Sequence, residues 1–386
     1  MMSWLYSRIR GDIQIWFIVL MLTVISIMAV YSSSANLAFA RQEGNTEYYL
    51  FKHLGLVLFS VLLMYFAHRV NYIYYSILSV VLLALAIPLL IYTAIYVPEA
   101  HGAKRGTEIF GISFQSFDIA KVALVMFIAR VLSKNQDRLY DFKHTFLPIT
   151  ASIIIICGLI APSNLSTAII LFVSCFTLMI IGRLYYKHLL LMFLALVVAV
   201  PLFVVITAYR GGPDRTTTWK NRTQSFIHPE KGDEEDTYQI KQAKIAIASG
   251  GIFGKMPGNS TQKYSLPYAY SDFIYSIIIE EWGIIGGIFI ILLYLWLLQR
   301  AIRVVIKAPK AFGALLASGL AILIVLQAFV HMIINCGLGP VTGIPLPFIS
   351  MGGTSQMFMS IAIGIILSVS RNIEENEINE KAIIPE

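Results

Sequence analysis

The chain has 386 residues, of which 57% are hydrophobic and 13% are charged. Soluble domains carry roughly 25% charged residues, so this composition excludes an ordinary soluble globular protein and predicts one that lies in a membrane. The net charge of +7 does not indicate nucleic-acid binding, because most Lys and Arg residues fall in short loops between apolar runs, where they set topology and meet anionic headgroups.

The predicted elements are transmembrane helices, and residues 1–386 are interpreted as a single all-α membrane domain. A span needs about 20 mostly apolar residues to cross a hydrocarbon core of about 30 Å, and about ten segments meet this requirement. In chain order they are residues 13–33, 50–67, 72–97, 114–133, 145–161, 164–182, 187–209, 271–298, 311–335 and 347–370. The fourth is the least regular, because Asp118 and Lys121 interrupt it.

The distribution of basic residues predicts the orientation. With the N-terminus in the cytoplasm, most basic residues of the short loops also face the cytoplasm, as the positive-inside rule requires. Both termini are then cytoplasmic, and the tail of about residues 371–386 is expected to be short, charged and flexible. Residues 210–270 form a long extracytoplasmic loop between the seventh and eighth spans. Within it, residues 238–246 are expected to form an amphipathic helix at the membrane interface.

Ionisable groups inside a span need an explanation, because each costs about 2.5–3.5 kcal/mol on insertion scales. Asp118 and Lys121 are three residues apart, so they share one helix face and can neutralise each other. This spacing predicts a structural ion pair. The alternative is that Lys121 meets an anionic group such as a diphosphate.

Three carboxylates lie near the start of the eighth span. Asp272 is placed where it could act as a general base on a sugar hydroxyl, or as the N-cap of the helix. Glu280 and Glu281 lie about two turns deeper, where each needs a partner inside the bundle or a wet cavity. Gly283 and Gly287, which follow them, have the spacing that allows helices to approach closely.

Two glycine-rich elements are also notable. Residues 250–258 resemble a phosphate loop, but the spacing is one residue short and neither Ser nor Thr follows Lys255, so no nucleotide site is predicted. Residues 343–355 interrupt a helix at membrane depth, which is tolerated only where protein or water covers the freed backbone. That element indicates the mouth of a cavity. The three cysteines have neither metal-ligand spacing nor a disulfide framework; they are Cys157, Cys175 and Cys336.

A series of short motifs in fixed order resembles the SEDS family (shape, elongation, division and sporulation), and the resemblance covers nearly the whole chain. The motifs are Arg222, Tyr238-Gln239, Gly250-Gly251, Gly258-Asn259-Ser260, Gln262-Lys263, Leu266-Pro267, Asp272 to Tyr275, Glu280-Glu281 and Leu346 to Ser355. Residues 258–263 are more similar to the division subfamily, FtsW, than to the elongation subfamily, RodA. The chain departs from the family pattern at Asn164, where an Asp is common, and at Tyr270 and Met351.

The resemblance implies a peptidoglycan glycosyltransferase of the bacterial inner membrane, located at the division septum. Such a protein polymerises lipid II onto a lipid-linked glycan strand through β-1,4 links, with undecaprenyl diphosphate as the leaving group. It also implies a class B penicillin-binding protein, a transpeptidase, as partner, together with other division proteins. A lipid II flippase and a non-catalytic division scaffold are the alternatives.

The resemblance also implies roles for individual residues. Asp272 matches the essential aspartate, which would take a proton from the 4-hydroxyl of GlcNAc. Asp118 and Lys121 match an acidic residue and a lysine that follow a Phe-Gln pair. Lys121, Lys263, Arg222 or a divalent cation, Mg or Mn, would stabilise the diphosphate, and the further residues expected at the substrate or cavity are Glu280, Lys52 and Ser350. No metal ligands are assigned, and no nucleotide cofactor is expected.

Overall fold

The computed structural model describes residues 10–35, 37, 45–96, 107–109, 112–209, 222, 226 and 234–383. The α-helices in these ranges are α1 (Ile13–Ser33), α2 (Thr46–Arg69), α3 (Tyr72–Tyr96), α4 (Ser116–Lys134), α5 (Leu147–Ile160), α6 (Leu165–Ile181), α7 (Tyr186–Tyr209), α8 (Glu234–Gly250), α9 (Ile274–Lys307), α10 (Ala311–Asn335) and α11 (Thr354–Ile383). Two short strands, β1 (Thr107–Ile109) and β2 (Ile112–Phe114), pair antiparallel. A π-helical turn, Phe142–Phe146, leads into α5, and 3₁₀ turns lie at Gln136–Arg138 and Gln262–Tyr264.

Each predicted span coincides with a helix, and the all-α class is confirmed. Within the described ranges, seven helical stretches are long and apolar enough to cross a membrane; they are Ile13–Ser33, Thr46–Arg69, Tyr72–Tyr96, Phe142–Ile160, Ile274–Lys307, Ala311–Asn335 and Thr354–Asn379. Leu165–Ile181 and Tyr186–Ala195 are shorter apolar helices. The number of ten spans therefore stays a prediction.

Helix α4 lies at the centre of the bundle. It contacts α3, α5, α6, α10 and α11, and most of its residues from Ser116 to Leu132 are buried. A helix that is buried on all sides does not face lipid. This position explains how α4 can carry Asp118 and Lys121 among apolar side chains, and why its sequence is the least regular of the predicted spans.

The outside of the bundle is apolar, as expected for a protein in lipid. Large hydrophobic side chains are exposed along the outward faces of α2 and α3, for example Leu58 at 62% and Ile77 at 65%. The inward faces pack into one continuous core that includes residues of α1, α4, α9, α10 and α11. Polar side chains inside this core, such as Asp118 and Gln327, are therefore exceptions.

The C-terminal tail is helical as far as Ile383, and its contacts contradict the predicted flexibility for the first turns after residue 370. Helix α11 begins at Thr354, later than the predicted 347, and continues to Ile383. The first turn after residue 370 is bonded to other elements: Arg371 Nη1 donates to the Arg69 carbonyl at 2.9 Å and Glu374 Oε2 accepts from Gly11 N at 2.7 Å. Because these partners lie far away in sequence, local composition could not show that the tail is ordered.

The beginning of α1 is fixed by an ion pair with the end of α9. Asp12 Oδ1 caps α1 by accepting from Gln14 N at 2.9 Å. Asp12 Oδ2 accepts from Arg300 Nε at 2.8 Å. Arg300, Arg303 and Lys307 thus mark one end of the membrane-spanning part of α9, on the side that the sequence predicts to be cytoplasmic.

Helix α8 contains the predicted amphipathic segment, and its helical structure is confirmed. It lies against α9 and α10, where Ala243 packs with Leu266, Phe273 and Ile277 in a small separate core. The apolar face of α8 therefore covers protein, and contact with a membrane interface stays a prediction. Most of residues 210–233 of the predicted long loop lie outside the described residues.

Candidate active site

Asp272 lies in a tight turn immediately before α9. Ser271 N and Asp272 N both donate to the Tyr268 carbonyl at 2.9 Å. Helix α9 begins at Ile274, and Phe273 occupies the N-cap position without a side-chain cap. The interpretation of Asp272 as the N-cap residue is therefore wrong. Its side chain is half-buried, and Ser271 Oγ donates to Oδ1 at 3.0 Å.

The backbone of this turn is held from two sides. Ser350 Oγ donates to the Ser271 carbonyl at 2.7 Å and accepts from Leu346 N at 2.8 Å. On the other side, Asn335 Nδ2 donates to the Asp272 carbonyl at 2.9 Å. These bonds engage backbone atoms and leave the Asp272 carboxylate to other partners. The backbone from which the Asp272 carboxylate projects is therefore fixed, which is the kind of support that a functional side chain needs.

Ser350 was expected at the substrate. In the structure it is 2% exposed, and its hydroxyl makes both of the hydrogen bonds given above, one as donor and one as acceptor. This places Ser350 behind the Asp272 turn as a brace. A second bond joins the same two segments, because Met351 N donates to the Tyr270 carbonyl at 3.1 Å.

The irregular segment of residues 336–353 connects α10 to α11 and contains most of the predicted helix interruption. Its freed carbonyls accept from side chains of three helices: His331 Nδ1 to Ile344 at 2.7 Å, Gln327 Nε2 to Pro345 at 2.9 Å, Ser26 Oγ to Ile349 at 2.8 Å, and Tyr294 Oη to Pro347. Protein thus covers the backbone of this interruption, as predicted. The mouth of a cavity at this place stays a prediction.

Asp118 and Lys121 form the predicted ion pair. Lys121 Nζ lies 2.9 Å from Asp118 Oδ1, and the two side chains are 4% and 0% exposed. Thr354 Oγ1 donates to Asp118 Oδ2 at 3.1 Å, and Lys121 Nζ donates to Gln327 Oε1 at 3.3 Å. Because Gln327 also bonds the Pro345 carbonyl, the pair is linked through Gln327 to the 336–353 segment, and it contacts the start of α11 directly through Thr354.

Glu280 is enclosed by the loop that follows α8. Its carboxylate accepts hydrogen bonds from Lys255 Nζ at 2.7 Å, Thr261 Oγ1 at 2.8 Å, Thr261 N at 3.1 Å, Gln262 N at 3.2 Å and Ser249 Oγ at 3.3 Å, and also from Ser260 Oγ. Glu281 accepts from Ser32 Oγ of α1. Both carboxylates therefore have partners inside the protein. Of the two predicted alternatives, a partner inside the bundle or a wet cavity, the structure shows the first.

The remaining candidates are dispersed. Lys263 is buried and its Nζ donates to the Gly258 carbonyl at 2.6 Å. Arg222 Nη1 donates to the Val341 carbonyl at 3.3 Å, which brings it to the 336–353 segment. Lys52 is exposed near the start of α2. The contacts of Lys52 and Lys263 thus do not bring either residue to Asp272.

Sequence reasoning missed three residues that organise the site, namely Gln327, His331 and Asn335. They are four residues apart on α10, which is otherwise apolar, and all three are buried. Residues spaced by four lie on one face of a helix, so this spacing was a signal that could have found them.

The departure from the family pattern at Asn164 is conservative. Asn164 Oδ1 caps α6 by accepting from Thr167 N at 3.0 Å, and Asn and Asp cap helices equally well.

A divalent cation, Mg or Mn, stays a prediction. Among the residues that the structure describes, no group of three or more His, Cys, Asp or Glu side chains is arranged to hold a metal ion. These residues thus do not form a metal site made of protein ligands alone.

Comparisons with known proteins agree over nearly the whole chain. The model of the FtsW, RodA and SpoVE family, described as cell cycle proteins, matches residues 13–375. A protein of Geobacter sp. (strain M18), named probable peptidoglycan glycosyltransferase FtsW, is 33% identical over 94% of this chain and 98% of its own length. Stage V sporulation protein E of Bacillus subtilis (strain 168) is 30% identical over 95% of this chain and 98% of its own.

Two solved structures have a similar fold. One is a chain from a study of how a peptidoglycan synthase complex coordinates polymerization and crosslinking; it has a TM-score of 0.75 and 23% identity, and the match covers 94% of this chain and 98% of that one. The other is the rod shape determining protein RodA of Thermus thermophilus, with a TM-score of 0.65 and 21% identity over 94% of this chain and 97% of that one. At these identities the likeness concerns the fold.

Proposed function

Because this chain belongs to the FtsW, RodA and SpoVE family of cell cycle proteins, we infer that it is a peptidoglycan glycosyltransferase, a multi-pass protein of the inner membrane. The observation that carries this conclusion is the match to the Geobacter protein of that name, at 33% identity over 98% of its length. The polymerised substrate is lipid II, and the product is a β-1,4-linked glycan strand.

Asp272 is the catalytic base of this proposal. Its carboxylate takes the proton from the 4-hydroxyl of the acceptor GlcNAc, and the freed oxygen attacks the anomeric carbon of the donor strand. The bond from that carbon to the diphosphate breaks, and undecaprenyl diphosphate leaves with the electron pair. Attack opposite the leaving group inverts the configuration and gives the β-1,4 link. The bonds from Ser350 and Asn335 support this role, because they fix the turn that carries Asp272.

The departing diphosphate needs positive charge nearby, since preorganised charge at a developing anion is usually the largest catalytic contribution. Lys121, Lys263 and Arg222 are the proposed candidates. Lys121 is the best supported, because it contacts the 336–353 segment through Gln327, and the same segment braces the Asp272 turn. Mg or Mn stays a further proposal; Mg²⁺ is commonly held by one or two carboxylates together with substrate phosphates.

The proposed partner is a class B penicillin-binding protein. Its support is the similar fold of a chain from a peptidoglycan synthase complex. Contact with other division proteins, location at the septum and cytoplasmic placement of both termini belong to the same proposal. The orientation is supported by the basic residues around Arg300 at one end of α9, which the positive-inside rule assigns to the cytoplasm.

The test is a polymerisation assay with purified components. The chain is purified in detergent with its matching transpeptidase, supplied with lipid II and Mg or Mn, and wild type is compared with Asp272→Ala and Asp272→Asn. Asp137→Asn is the matched control, because Asp137 is exposed after α4, away from the Asp272 turn. We expect polymer from wild type and the control and none from either Asp272 variant.

Other outcomes separate the alternatives. Equal polymer from all four proteins would contradict a catalytic role for Asp272 and move the search to Asp118 and Lys121. Polymer from none of them, together with transbilayer movement of lipid II in vesicles that survives Asp272→Asn, would favour the flippase. If neither polymer nor movement is seen and every variant still assembles with the transpeptidase, the scaffold alternative is favoured.

A further inference from the structure

The loop of residues 251–258 exposes a cluster of large apolar side chains. Ile252 is 61% exposed, Phe253 80% and Met256 68%. Single exposed apolar residues are common, but a contiguous cluster marks a surface that contacts another apolar body. The loop follows α8 in the region that the sequence predicts to lie outside the membrane. That topology alone would place these apolar side chains in water, so it does not explain why they are exposed.

A break in α9 holds the loop in place. At Gly283 the helix is interrupted by a residue with φ 72° and ψ −175°. The N–H groups that the break leaves without helical partners are used by the loop: Ile284 N donates to the Gly251 carbonyl at 3.0 Å and Ile285 N to the Ile252 carbonyl at 3.4 Å. In return, Lys255 N donates to the Glu280 carbonyl at 2.9 Å. The loop thus completes the backbone hydrogen bonding of α9 at this level.

The approach of the two backbones leaves no space for side chains. A Cβ atom on Gly283 would lie 2.0 Å from the Ile252 carbonyl oxygen, and one on Gly254 would lie 2.2 Å from the Glu281 carbonyl oxygen. The close approach at Gly254 and Gly283 therefore fixes the position of the loop along the axis of α9.

This level falls near a membrane boundary. Ile284 precedes Arg300 by about 16 residues, which is about 24 Å at a rise of 1.5 Å per residue. Arg300 and the basic residues that follow it mark the other boundary, and the hydrocarbon core is about 30 Å thick. The contact between the loop and Ile284 therefore lies just inside the hydrocarbon, on the side of the membrane where α9 begins and Asp272 lies.

The charges of the loop are compatible with this depth. The one basic residue within residues 251–258 is Lys255, and it forms an ion pair with the buried Glu280 at 2.7 Å. Neutralisation by a partner lowers the cost of placing a charge near lipid. The neighbouring surface of α9 is apolar as well, with Ile284 47% exposed and Ile285 53% exposed. Loop and helix thus present one continuous apolar surface.

We propose that residues 251–258 form a membrane anchor, in which Ile252, Phe253 and Met256 insert into the phospholipid acyl chains of the leaflet on the Asp272 side. Glu280 is then the residue that positions the anchor, because it binds Lys255 and the backbone that follows it. The anchor fixes the height of the start of α9 relative to the leaflet. It thereby sets the level at which Asp272 meets a lipid-linked substrate.

The test measures where a label on the loop resides. Cys157, Cys175 and Cys336 are replaced by alanine in the full-length chain, and a nitroxide is attached to Phe253→Cys. The protein is placed in nanodiscs of phosphatidylethanolamine and phosphatidylglycerol, with and without the matching transpeptidase. Access of molecular oxygen, which concentrates in hydrocarbon, is compared with access of a water-soluble nickel chelate. Ile288→Cys on the outward face of α9 is the lipid control, and Lys310→Cys between α9 and α10 is the aqueous control.

We expect the ratio of oxygen to nickel access at Phe253→Cys to exceed that at Lys310→Cys and to approach that at Ile288→Cys, which lies about 6 Å deeper than Ile284 at 1.5 Å per residue, both with and without the transpeptidase. A ratio equal to that of Lys310→Cys would overturn the proposal, because the loop would lie in water. Loss of access to both reagents when the transpeptidase is added would also overturn it, because the surface would then be a protein interface.

A second measurement avoids the cysteine replacements. Phe253→Trp in the otherwise unchanged chain is compared with wild type in nanodiscs whose lipids carry bromine on the acyl chains. The wild type has five tryptophans, so the emission that the substitution adds is obtained by subtracting the wild-type spectrum at equal protein concentration. The anchor predicts that brominated lipids quench this added emission, and added emission that is not quenched would count against it. None of these readouts depends on glycan polymerisation, so failure of the anchor and failure of the proposed activity are distinguishable.

Discussion

Removal of one partner from the ion pair of α4 is expected to destabilise the protein strongly. In Lys121→Met the carboxylate of Asp118, which is fully buried, keeps the hydrogen bond from Thr354 and loses its only opposite charge within the described contacts. Breaking a buried pair in this way typically costs about 3–5 kcal/mol. Replacing both partners, as in Asp118→Leu/Lys121→Met, is expected to cost much less, because apolar pairs of similar volume are often neutral or stabilising in such positions.

The assay is a double-mutant cycle. The free energy of unfolding is measured by titrating the purified protein with SDS in mixed micelles, for wild type, the two single variants and the double variant. Ser133→Ala on the same helix is the control, because its hydroxyl bonds only to the Arg130 carbonyl one turn earlier. The reasoning would be refuted if Lys121→Met cost no more than the double variant, since the pair would then carry no interaction energy.

The same variants separate a structural pair from a diphosphate ligand. If the double variant is as stable as wild type and polymerises lipid II normally, the pair serves packing alone. If it is stable and does not polymerise, the pair contributes to the reaction, and its role is not packing alone. Stability and activity therefore have to be measured on the same preparations.

Three further predictions concern the turn and the loop around α9. Ser350→Ala removes the hydroxyl that braces the Asp272 turn. If the lost hydrogen bonds raise the activation free energy by about 1–2 kcal/mol, polymerisation becomes about tenfold slower, measured as the rate of glycan formation. Glu280→Gln removes the charge that the loop encloses, so we expect a loss of about 1–3 kcal/mol in unfolding free energy and faster proteolysis between residues 251 and 265. Gly283→Ala introduces a side chain at φ 72° and 2.0 Å from a loop carbonyl, so we expect a larger loss of stability in the SDS titration than for Gly158→Ala, where no atom lies within 4 Å.

Each of these expectations has a clear contrary result. Unchanged polymerisation by Ser350→Ala would mean that the turn is held by its other bonds. Wild-type protease resistance of Glu280→Gln would mean that the neutral donors suffice to hold the loop. Equal stability of Gly283→Ala and Gly158→Ala would mean that the break in α9 is not required by the fold.

The parts of the fold that the sequence predicted are those governed by local pattern. Hydrophobic length located the helices, and the i, i+3 spacing of Asp118 and Lys121 predicted their pairing, because both properties act within one or two helical turns. The middle of helix α8 was predicted from the amphipathic pattern of residues 238–246. The fixed position of the first turn of α11 after residue 370 was not predictable, because it depends on contacts with Gly11 and Arg69, which lie far away in sequence.

The site was predicted less completely for the same reason. Asp272 was found through its motif, but the role of Ser350 depends on a bond to a residue 79 positions away. The break at Gly283 could not be read from Glu-Glu-Trp-Gly either, because a glycine after an apolar run is equally consistent with close helix packing. Only the loop carbonyls that accept from Ile284 and Ile285 distinguish a break from a packing position.

The buried polar face of α10 provides the physical link between the ion pair and the candidate base. Gln327 contacts Lys121, and Asn335, two turns later, holds the Asp272 carbonyl; the two lie about 12 Å apart along the helix axis at 1.5 Å per residue. Between them, His331 binds the Ile344 carbonyl, so the 336–353 segment is attached to the same face. Because these side chains bind α4, the 336–353 segment and the Asp272 turn, a shift of α10 would have to break several buried hydrogen bonds at once, at about 1–3 kcal/mol each. Helix α10 is therefore a rigid support that holds Lys121 and the Asp272 turn at a fixed separation, as the roles proposed for these two residues require.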